Sequence, residues 1–327
     1  MGGEVKPGYA LPAVADPPPH IAARRREQRA RRRRRRQAIL AACAGLAAAG
    51  AVLLLVLGGG GSPAKHRVLL AAPSPPALRP VQAAASGLTA VMAAGNVEIR
   101  KLIALGLPVY CGGPHGNEVA FTFDDGPGVY THLALKKLRR WNERATFFDV
   151  GKSMITWPGY LPRELQLAAI GDHTYTHPDL AALGPADVRM QLERAAQMIA
   201  AQSRQPVDMW RPPYEATNPS VLRIARQLGL LEILWSVDSR DSLGANWAQI
   251  IKFVEKGLKP GAIVELHENR GQTIRALTTL LPYLHRRHLR SVSVPELLAS
   301  DPPSMTQLRR GWSGCGEHPG ALAGNGA

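Results

Sequence analysis

The sequence predicts an α/β protein whose parallel strands form a barrel or a wound sheet. Between Val97 and Val294, short apolar or β-branched runs alternate with helical patterns, as such a sheet requires. Polar clusters follow four of these runs directly. Because active sites of barrels are built at the carboxyl ends of the strands, these clusters indicate an enzyme. A chain of 327 residues has room for this domain and for segments outside it.

Six runs are candidate strands. They are 119–123, 146–150, a short run that ends near His173, 209–210, 232–237 and 261–266. Between them, apolar residues recur at helical spacing over 188–199. Asn218 followed by Pro219 is typical of a helix N-terminus, with a capping side chain and a proline at the first helical position.

The first 36 residues are strongly basic. They contain eleven Lys and Arg against three acids, a net +8 out of the total of +15. An uncharged run follows at 38–57, and about 20 apolar residues suffice to cross a bilayer as a helix. Since positively charged flanks stay in the cytoplasm, we expect a cytoplasmic N-terminus, a single-pass anchor in the cell membrane and an extracellular catalytic domain. The alternative is a cleaved signal peptide, for which Ser62-Pro63-Ala64 would serve as the cleavage site.

A nucleic-acid-binding arm is another interpretation of the arginine run. Beside a membrane span, attraction to anionic lipid explains the run more simply, so we expect no nucleic-acid partner. Export would place Cys111 and Cys315 in an oxidising compartment. There they could pair or remain as two free thiols.

Composition divides the chain into five segments. They are an Arg-rich cytoplasmic segment (1–37), a transmembrane signal anchor (38–57), a Gly/Pro/Ala-rich linker (58–96), the α/β domain (97–300) and an irregular C-terminal tail (301–327). The linker lacks apolar periodicity and is expected to act as a spacer from the membrane.

Two histidines and two aspartates indicate a metal site. His173 and His177 stand four residues apart, which places both imidazoles on one face if the segment is helical. Alone, such a pair is more often a solvated surface, and Asp124-Asp125 before Gly126-Pro127 is alone a turn signal. Together they offer two His and one Asp ligand with an open position, which is the arrangement of a catalytic metal site.

Such a site indicates hydrolysis, because a bound metal lowers the pKa of water to about 7 and polarises a carbonyl. Hydrolysis of an amide also needs a base for the water proton and an acid for the departing amine. One of the adjacent aspartates can bind the metal while the other acts as base. His267 is the candidate acid if a carboxylate such as Asp241 stabilises its imidazolium, and a core histidine is the alternative.

Five motifs, in order and approximate spacing, resemble those of the polysaccharide deacetylases. This is carbohydrate esterase family 4, which shares the nodulation-type chitooligosaccharide deacetylase homology domain. The motifs are Thr122-Phe123-Asp124-Asp125-Gly126-Pro127, His173-Thr174-Tyr175-Thr176-His177-Pro178, Arg211-Pro212-Pro213-Tyr214, Asp238-Ser239-Arg240-Asp241 and Leu266-His267. The resemblance covers roughly residues 107–297. It implies a distorted (β/α) barrel with fewer than eight repeats, together with a zinc ion or a similar divalent ion such as cobalt.

The resemblance also implies a role for each matching residue. Asp124 would be the catalytic base and His267 the acid. The metal ligands would be Asp125, His173 and His177.

Four further residues would support them. Arg211 would orient Asp124, and Asp241 would tune His267. The backbone amide of Tyr214 would help to hold the oxyanion, and Leu266 would line the pocket for the acetyl methyl group. The chain departs from the usual pattern next to these motifs, at Glu215, Ser242, Glu265 and Glu268.

These observations predict a metal-dependent hydrolase that acts on a non-peptide carbon–nitrogen bond. It would remove N-acetyl groups from GlcNAc or MurNAc residues of a cell-envelope polysaccharide, either peptidoglycan or a chitin-like glycan. An outward-facing anchored enzyme would meet peptidoglycan first. The alternatives are an O-deacetylase of xylan or another acetylated glycan, and a non-catalytic glycan-binding module on the same fold. The sequence does not indicate an oligomeric state.

Overall fold

The computed structural model of the chain describes residues 85–316, with side chains from residue 95 onward. The predicted cytoplasmic segment, the predicted membrane span at 38–57, most of the predicted linker and residues 317–327 lie outside the described residues. Between Ala85 and Gly316, we find no helix with the length and apolar character needed to cross a membrane.

Parallel strands alternate with helices along the described part of the chain. The strands are β1 (Glu118–Gly126), β2 (Ala145–Asp149), β3 (Ala168–Asp172), β4 (Met209–Trp210), β5 (Leu231–Glu232), β6 (Val237–Asp238), β7 (Ile263–His267) and β8 (Arg290–Ser291). The helices are α1 (Ala85–Leu105), α2 (Thr131–Trp141), α3 (Gly151–Thr156), α4 (Leu161–Glu164), α5 (Pro185–Ser203), α6 (Pro219–Gln227), α7 (Trp247–Gly257), α8 (Gly271–Arg286), α9 (Val294–Ser300) and α10 (Met305–Arg310). Short 3₁₀ helices cover Leu180–Ala182, Pro213–Glu215, Asp241–Leu243 and Gly311–Cys315.

The strands form one eight-stranded sheet in the order β5-β4-β3-β2-β1-β7-β6, and β8 pairs with the start of β1. The two ends of this order belong to one short segment, 231–238. Leu231 pairs with β4 on one side, and Val237 pairs with β7 on the other. The sheet therefore curls, and the carboxyl ends of its strands converge. The predicted α/β class is confirmed. The single strand predicted over 232–237 is divided in two, because the chain changes its pairing partner within this segment.

The central strand β1 is buried along almost its whole length, with its side chains packed on both faces. Val119, Phe121 and Phe123 belong to a core shared with α2 and α8. Ala120 belongs to a second core, which includes Ile99 of α1. A parallel strand that is covered on both faces reads as a continuous apolar run, and this explains why the segment was recognisable in the sequence.

Two ends of the domain differ from the predicted boundaries. Helix α1 crosses the boundary predicted at residue 96, and Ile99 and Leu102 are buried in the second core. The tail predicted as irregular contains α10, which begins with a capping box between Ser304 and Gln307. This local Ser-x-x-Gln signal is typical of a helix start, but the glycine-rich and proline-rich composition around it concealed it.

A disulfide joins Cys111, just before β1, to Cys315 at the end of the described chain. The bond spans a sequence separation of 204 residues, so it ties the two ends of the domain together. The structure thus shows that the two cysteines are paired.

Candidate active site

A cavity of about 570 Å³ opens at the carboxyl end of the curled sheet. Its lining includes six residues that the sequence identified, which are Asp124, Asp125, His173, His177, Tyr214 and His267. They come from the end of β1, the loop after β3, the segment after β4 and the end of β7. The sheet brings these residues together because carboxyl ends of parallel strands share one edge.

Three donor atoms face one another in this cavity. The carboxylate of Asp125 lies 2.9 Å from Nε2 of His177 and 3.6 Å from Nε2 of His173. The two Nε2 atoms are 3.2 Å apart. All three residues offer a donor atom within 4.8 Å of the others, so a single ion can reach them. Asn269 donates to the second Asp125 oxygen over 2.9 Å, a contact with no signal in the sequence.

Hydrogen bonds at Nδ1 orient both imidazoles. Nδ1 of His173 donates to the backbone carbonyl of Arg211 over 2.7 Å. A carbonyl only accepts, so the proton of the ring is placed on Nδ1 and Nε2 is the nitrogen that can bind an ion. Nδ1 of His177 lies 2.5 Å from the hydroxyl of Tyr214, which can accept its proton in the same way. No sequence motif indicated this contact from the Tyr214 side chain.

The charge states suit metal binding. Burial alone would raise the pKa of Asp125, but His177 and His173 hold it well below its usual value. Burial lowers the pKa of His177, although Asp125 opposes that shift. The site therefore offers a carboxylate and a neutral imidazole, the forms in which these side chains bind metals.

Substitution of Tyr214 by Phe is expected to weaken metal binding while it keeps the backbone amide of residue 214. Loss of a partner to a ligating histidine typically costs about 10- to 100-fold in metal affinity. Titration of the metal-depleted chain with zinc, measured by activity or by a competing chelator, checks this effect. Tyr283→Phe is the control, since Tyr283 packs beside the core away from this site. Equal zinc affinities for Tyr214→Phe and the wild type would contradict the prediction.

The segment from His173 to His177 is a loop and not a helix, so the conditional helical interpretation is wrong. Thr174 and His177 have φ values of 69° and 60°, in the left-handed region. Asp172 accepts a hydrogen bond from the Thr174 amide, and the Thr174 hydroxyl accepts one from the His177 amide. Such local side-chain bonds compete with a helix, and here they fold the chain so that both rings face Asp125.

Asp124 lies beside the metal donors in a buried ion pair. Nη1 of Arg211 donates to the Asp124 carboxylate over 2.8 Å, and both side chains are almost fully buried. The remaining nitrogens of Arg211 donate to the carbonyls of Ile233 and Leu234, and Nη1 also reaches the Thr122 hydroxyl. Because these bonds fix the guanidinium, Arg211 holds the Asp124 carboxylate in one orientation, the contact that the resemblance implied.

His267 forms a second buried pair with Asp241. The Asp241 carboxylate lies 2.7 Å from Nδ1 of His267, and it also accepts from the His267 amide and the Thr273 hydroxyl. Burial would lower the pKa of His267, but the charge and hydrogen bond of Asp241, with smaller contributions from Asp125 and Glu265, raise it to about 10. The imidazolium is therefore the stable form at neutral pH, as an acid requires. The contact from Thr273 was not predicted.

Substitution of Asp241 by Asn is expected to lower kcat and to move the alkaline limb of the pH profile toward neutrality. His267 must be protonated to act as an acid, so activity falls as the pH rises through its pKa of about 10. Without the Asp241 charge, burial lowers that pKa, and the protonated fraction falls at a lower pH. A loss of about 10²-fold or more at pH 8 is expected from impaired acid catalysis. A pH–rate profile that is unchanged in the variant would refute this role for Asp241.

Leu266 is not among the residues that line the cavity, and its role in the acetyl methyl pocket stays a prediction. Its side chain is fully buried in the apolar core. Successive side chains of a strand point to opposite faces, and here Glu265 and His267 of β7 are the residues that reach the cavity. Glu265 has a carboxylate oxygen within 4.8 Å of donor atoms of Asp124 and His267. The sequence marked Glu265 only as a departure from the family pattern.

The other three residues that depart from the family pattern lie in different places. Ser242 lines the cavity. Glu215 is buried in the same 3₁₀ helix as Tyr214, and both have positive φ values. Glu268 is fully buried and accepts a hydrogen bond from the Thr131 hydroxyl.

Comparisons with known proteins agree with the five motifs. A family model described as polysaccharide deacetylase matches residues 112–233. A chitooligosaccharide deacetylase of Bradyrhizobium sp. is 33% identical over 196 residues, which cover 55% of this chain and 90% of that protein. The peptidoglycan-N-acetylglucosamine deacetylase of Listeria monocytogenes is 36% identical over 181 residues, which are 55% of this chain and only 38% of that protein.

A solved structure gives a further likeness. A pseudoenzyme of carbohydrate esterase family 4 from Bacillus anthracis aligns with a TM-score of 0.55 and 28% identity, over 58% of this chain and 68% of that one. The likeness therefore extends to a protein that is described as lacking enzymatic function.

Proposed function

Because the chain belongs to the polysaccharide deacetylase family, we propose that it is a metal-dependent hydrolase that removes N-acetyl groups from GlcNAc or MurNAc residues of a cell-envelope polysaccharide. The homologues indicate a hydrolytic deacetylase. One observation of the structure carries the finer proposal. Asp124, held by the buried Arg211, and His267, held by the buried Asp241, line the same cavity as three convergent metal donors.

The donors of Asp125, His173 and His177 fit a divalent ion. They combine one carboxylate oxygen with two imidazole nitrogens whose Nδ1 atoms are already bonded elsewhere. This donor set favours zinc or cobalt over calcium or magnesium, which prefer oxygen ligands. A divalent ion bound there supplies Lewis acidity, which lowers the pKa of water and polarises the acetyl carbonyl.

The chain's own residues then move the protons. The Asp124 carboxylate, held by Arg211, accepts a proton from water as the water oxygen bonds to the carbonyl carbon. The Tyr214 amide stabilises the oxyanion. His267, kept protonated by Asp241, gives a proton to the amide nitrogen as the carbon–nitrogen bond breaks. Acetic acid and a free amine leave, the acid becomes acetate by giving its proton to the amine, and a proton passes from Asp124 back to His267 through solvent.

A non-catalytic glycan-binding module is the second candidate, and the likeness to a pseudoenzyme supports it. Against it stands the completeness of the acid and base pairs. A module that only binds glycans has no need for a histidine whose pKa is raised to about 10 beside a carboxylate held by an arginine.

The choice of glycan and the location are also parts of the proposal. Peptidoglycan is the proposed substrate because the Listeria relative is named for that activity. The basic segment followed by the apolar run at 38–57 supports a single-pass anchor with the domain outside the cell. Chitin-like oligosaccharides are the nearest alternative, given the Bradyrhizobium relative.

Acetate release by the purified chain, supplied with zinc or cobalt, tests the proposal on three substrates. They are N-acetylchitooligosaccharides, peptidoglycan and acetylxylan. We expect release from peptidoglycan that a chelator abolishes. Release from acetylxylan alone would favour an O-deacetylase. Glycan binding without release of acetate from any substrate would favour the binding module.

A further inference from the structure

Three acidic side chains form a fully buried group next to the cavity. They are Asp149 at the end of β2, Glu164 at the end of α4 and Glu268 directly after β7, and each is 0% exposed. An oxygen of each lies within 4.8 Å of the others. The backbone carbonyl of Asp149 accepts from the amide of His173, so the group adjoins the catalytic loop.

Most oxygens of this group have no hydrogen-bond partner. Both oxygens of Asp149, both of Glu164 and Oε1 of Glu268 are buried without one, and only the other oxygen of Glu268 accepts from Thr131. Within residues 95–316, no Lys, Arg or His forms a salt bridge with any of the three. Buried carboxylates without partners cost several kcal/mol each, so protons or a cation must compensate them.

Protons alone would leave some of these buried carboxylate oxygens without a hydrogen-bond donor. A proton shared between Asp149 and Glu164 would join one oxygen of each and leave their other oxygens without a donor. Oε1 of Glu268 would also remain without one. Burial raises the pKa of all three groups, that of Asp149 to about 7, and repulsion from neighbouring carboxylates raises the pKa of Glu164 and of Glu268 further. A cation bound among the three carboxylates would displace these protons and neutralise the group.

The geometry and the donor type fit a hard ion. A Ca²⁺–O distance of about 2.4 Å lets one ion bridge oxygens up to roughly 4.8 Å apart. Asp149, Glu164 and Glu268 each bring a carboxylate oxygen within 4.8 Å of the other two, and calcium prefers oxygen ligands. Gly126 packs directly against this group, because a Cβ there would fall 1.3 Å from Oε1 of Glu268.

We propose that Asp149, Glu164 and Glu268 form a second metal site, which holds a structural calcium ion separate from the catalytic donors. Strands β2 and β7 flank β1 on its two sides. An ion between Asp149 and Glu268 therefore ties both neighbours together around the turn that carries Asp124 and Asp125. The ion is enclosed, so it enters as the chain folds and exchanges slowly afterwards.

Elemental analysis of the purified full chain, produced in medium that contains calcium and magnesium, tests the proposal. After the accessible catalytic ion has been stripped by a chelator at neutral pH, we expect about one equivalent of calcium to remain, by the stoichiometry of a single site. Glu164→Gln is expected to lose this ion and to unfold at a lower temperature. Glu143→Gln is the matched control, a buried glutamate that bonds Ser291 and His285 instead, and it should retain the ion.

Two outcomes would overturn the proposal. If the folded wild-type chain carries no calcium, magnesium or manganese beyond the catalytic ion, protons occupy the group. If Glu164→Gln retains the ion and unfolds at the wild-type temperature, the ion is bound elsewhere. The calcium content of the wild-type chain tests the proposal even if Glu164→Gln fails to fold.

Discussion

Removal of the catalytic ion is expected to abolish acetate release, and zinc or cobalt is expected to restore it. The donors of Asp125, His173 and His177 line an open cavity, so a chelator can reach an ion bound there. Without the ion, neither the acetyl carbonyl nor the attacking water is activated, and we expect at least about a 10³-fold loss, since both contributions disappear together. Acetate release before chelation, after chelation and after metal addition measures the effect.

Substitution within the donor set should reproduce this loss. His177→Ala removes one donor and is expected to lower zinc affinity and activity together. His132→Ala is the matched control, because His132 is an exposed histidine outside the cavity lining. Full activity of the chelated wild-type chain, with no residual zinc or cobalt, would exclude the proposed chemistry.

Substitution of Asp124 by Asn is the second change with a large expected effect. Asn has nearly the same shape and can still accept the hydrogen bond from Arg211, but it cannot take a proton from water. Loss of a general base typically costs about 10²- to 10⁴-fold in rate. We therefore expect kcat to fall by this factor while the catalytic ion remains bound, because Asp125 contacts the histidines and Asp124 does not.

Metal content and unfolding temperature, measured beside kcat, separate a lost base from a damaged site. Asp238→Asn is the control, since Asp238 also ends a strand but bonds the Arg240 amide and does not line the cavity. An unchanged kcat in Asp124→Asn would show that another group takes the proton. The carboxylate of Glu265, close to Asp124 and His267, would then be the residue to substitute next.

The sequence predicted the α/β class and six of the polar residues around the cavity. The reason is local, because an apolar run followed at once by Asp124-Asp125 or His267 marks a strand and its carboxyl end together. Parallel strands bring those ends to one edge whatever their order in the sheet. The family resemblance alone predicted that paired residues such as Asp124 and Arg211 lie next to each other.

Several features followed only from tertiary structure. The register of β7 decides that Glu265 faces the cavity and Leu266 the core, and a shift by one residue would exchange them. The loop from His173 to His177 depends on side-chain bonds that the four-residue spacing does not reveal.

By itself the sequence determined which residues are available for chemistry, since strand ends and motifs are recognisable over a few neighbouring positions. Only the tertiary structure decided the contacts that no motif implied. Thr273 reaches Asp241, and Asp149, Glu164 and Glu268 come together in one buried group, although they belong to different elements of the chain. Such contacts depend on strand pairing and on the curl of the sheet, which short-range patterns do not encode.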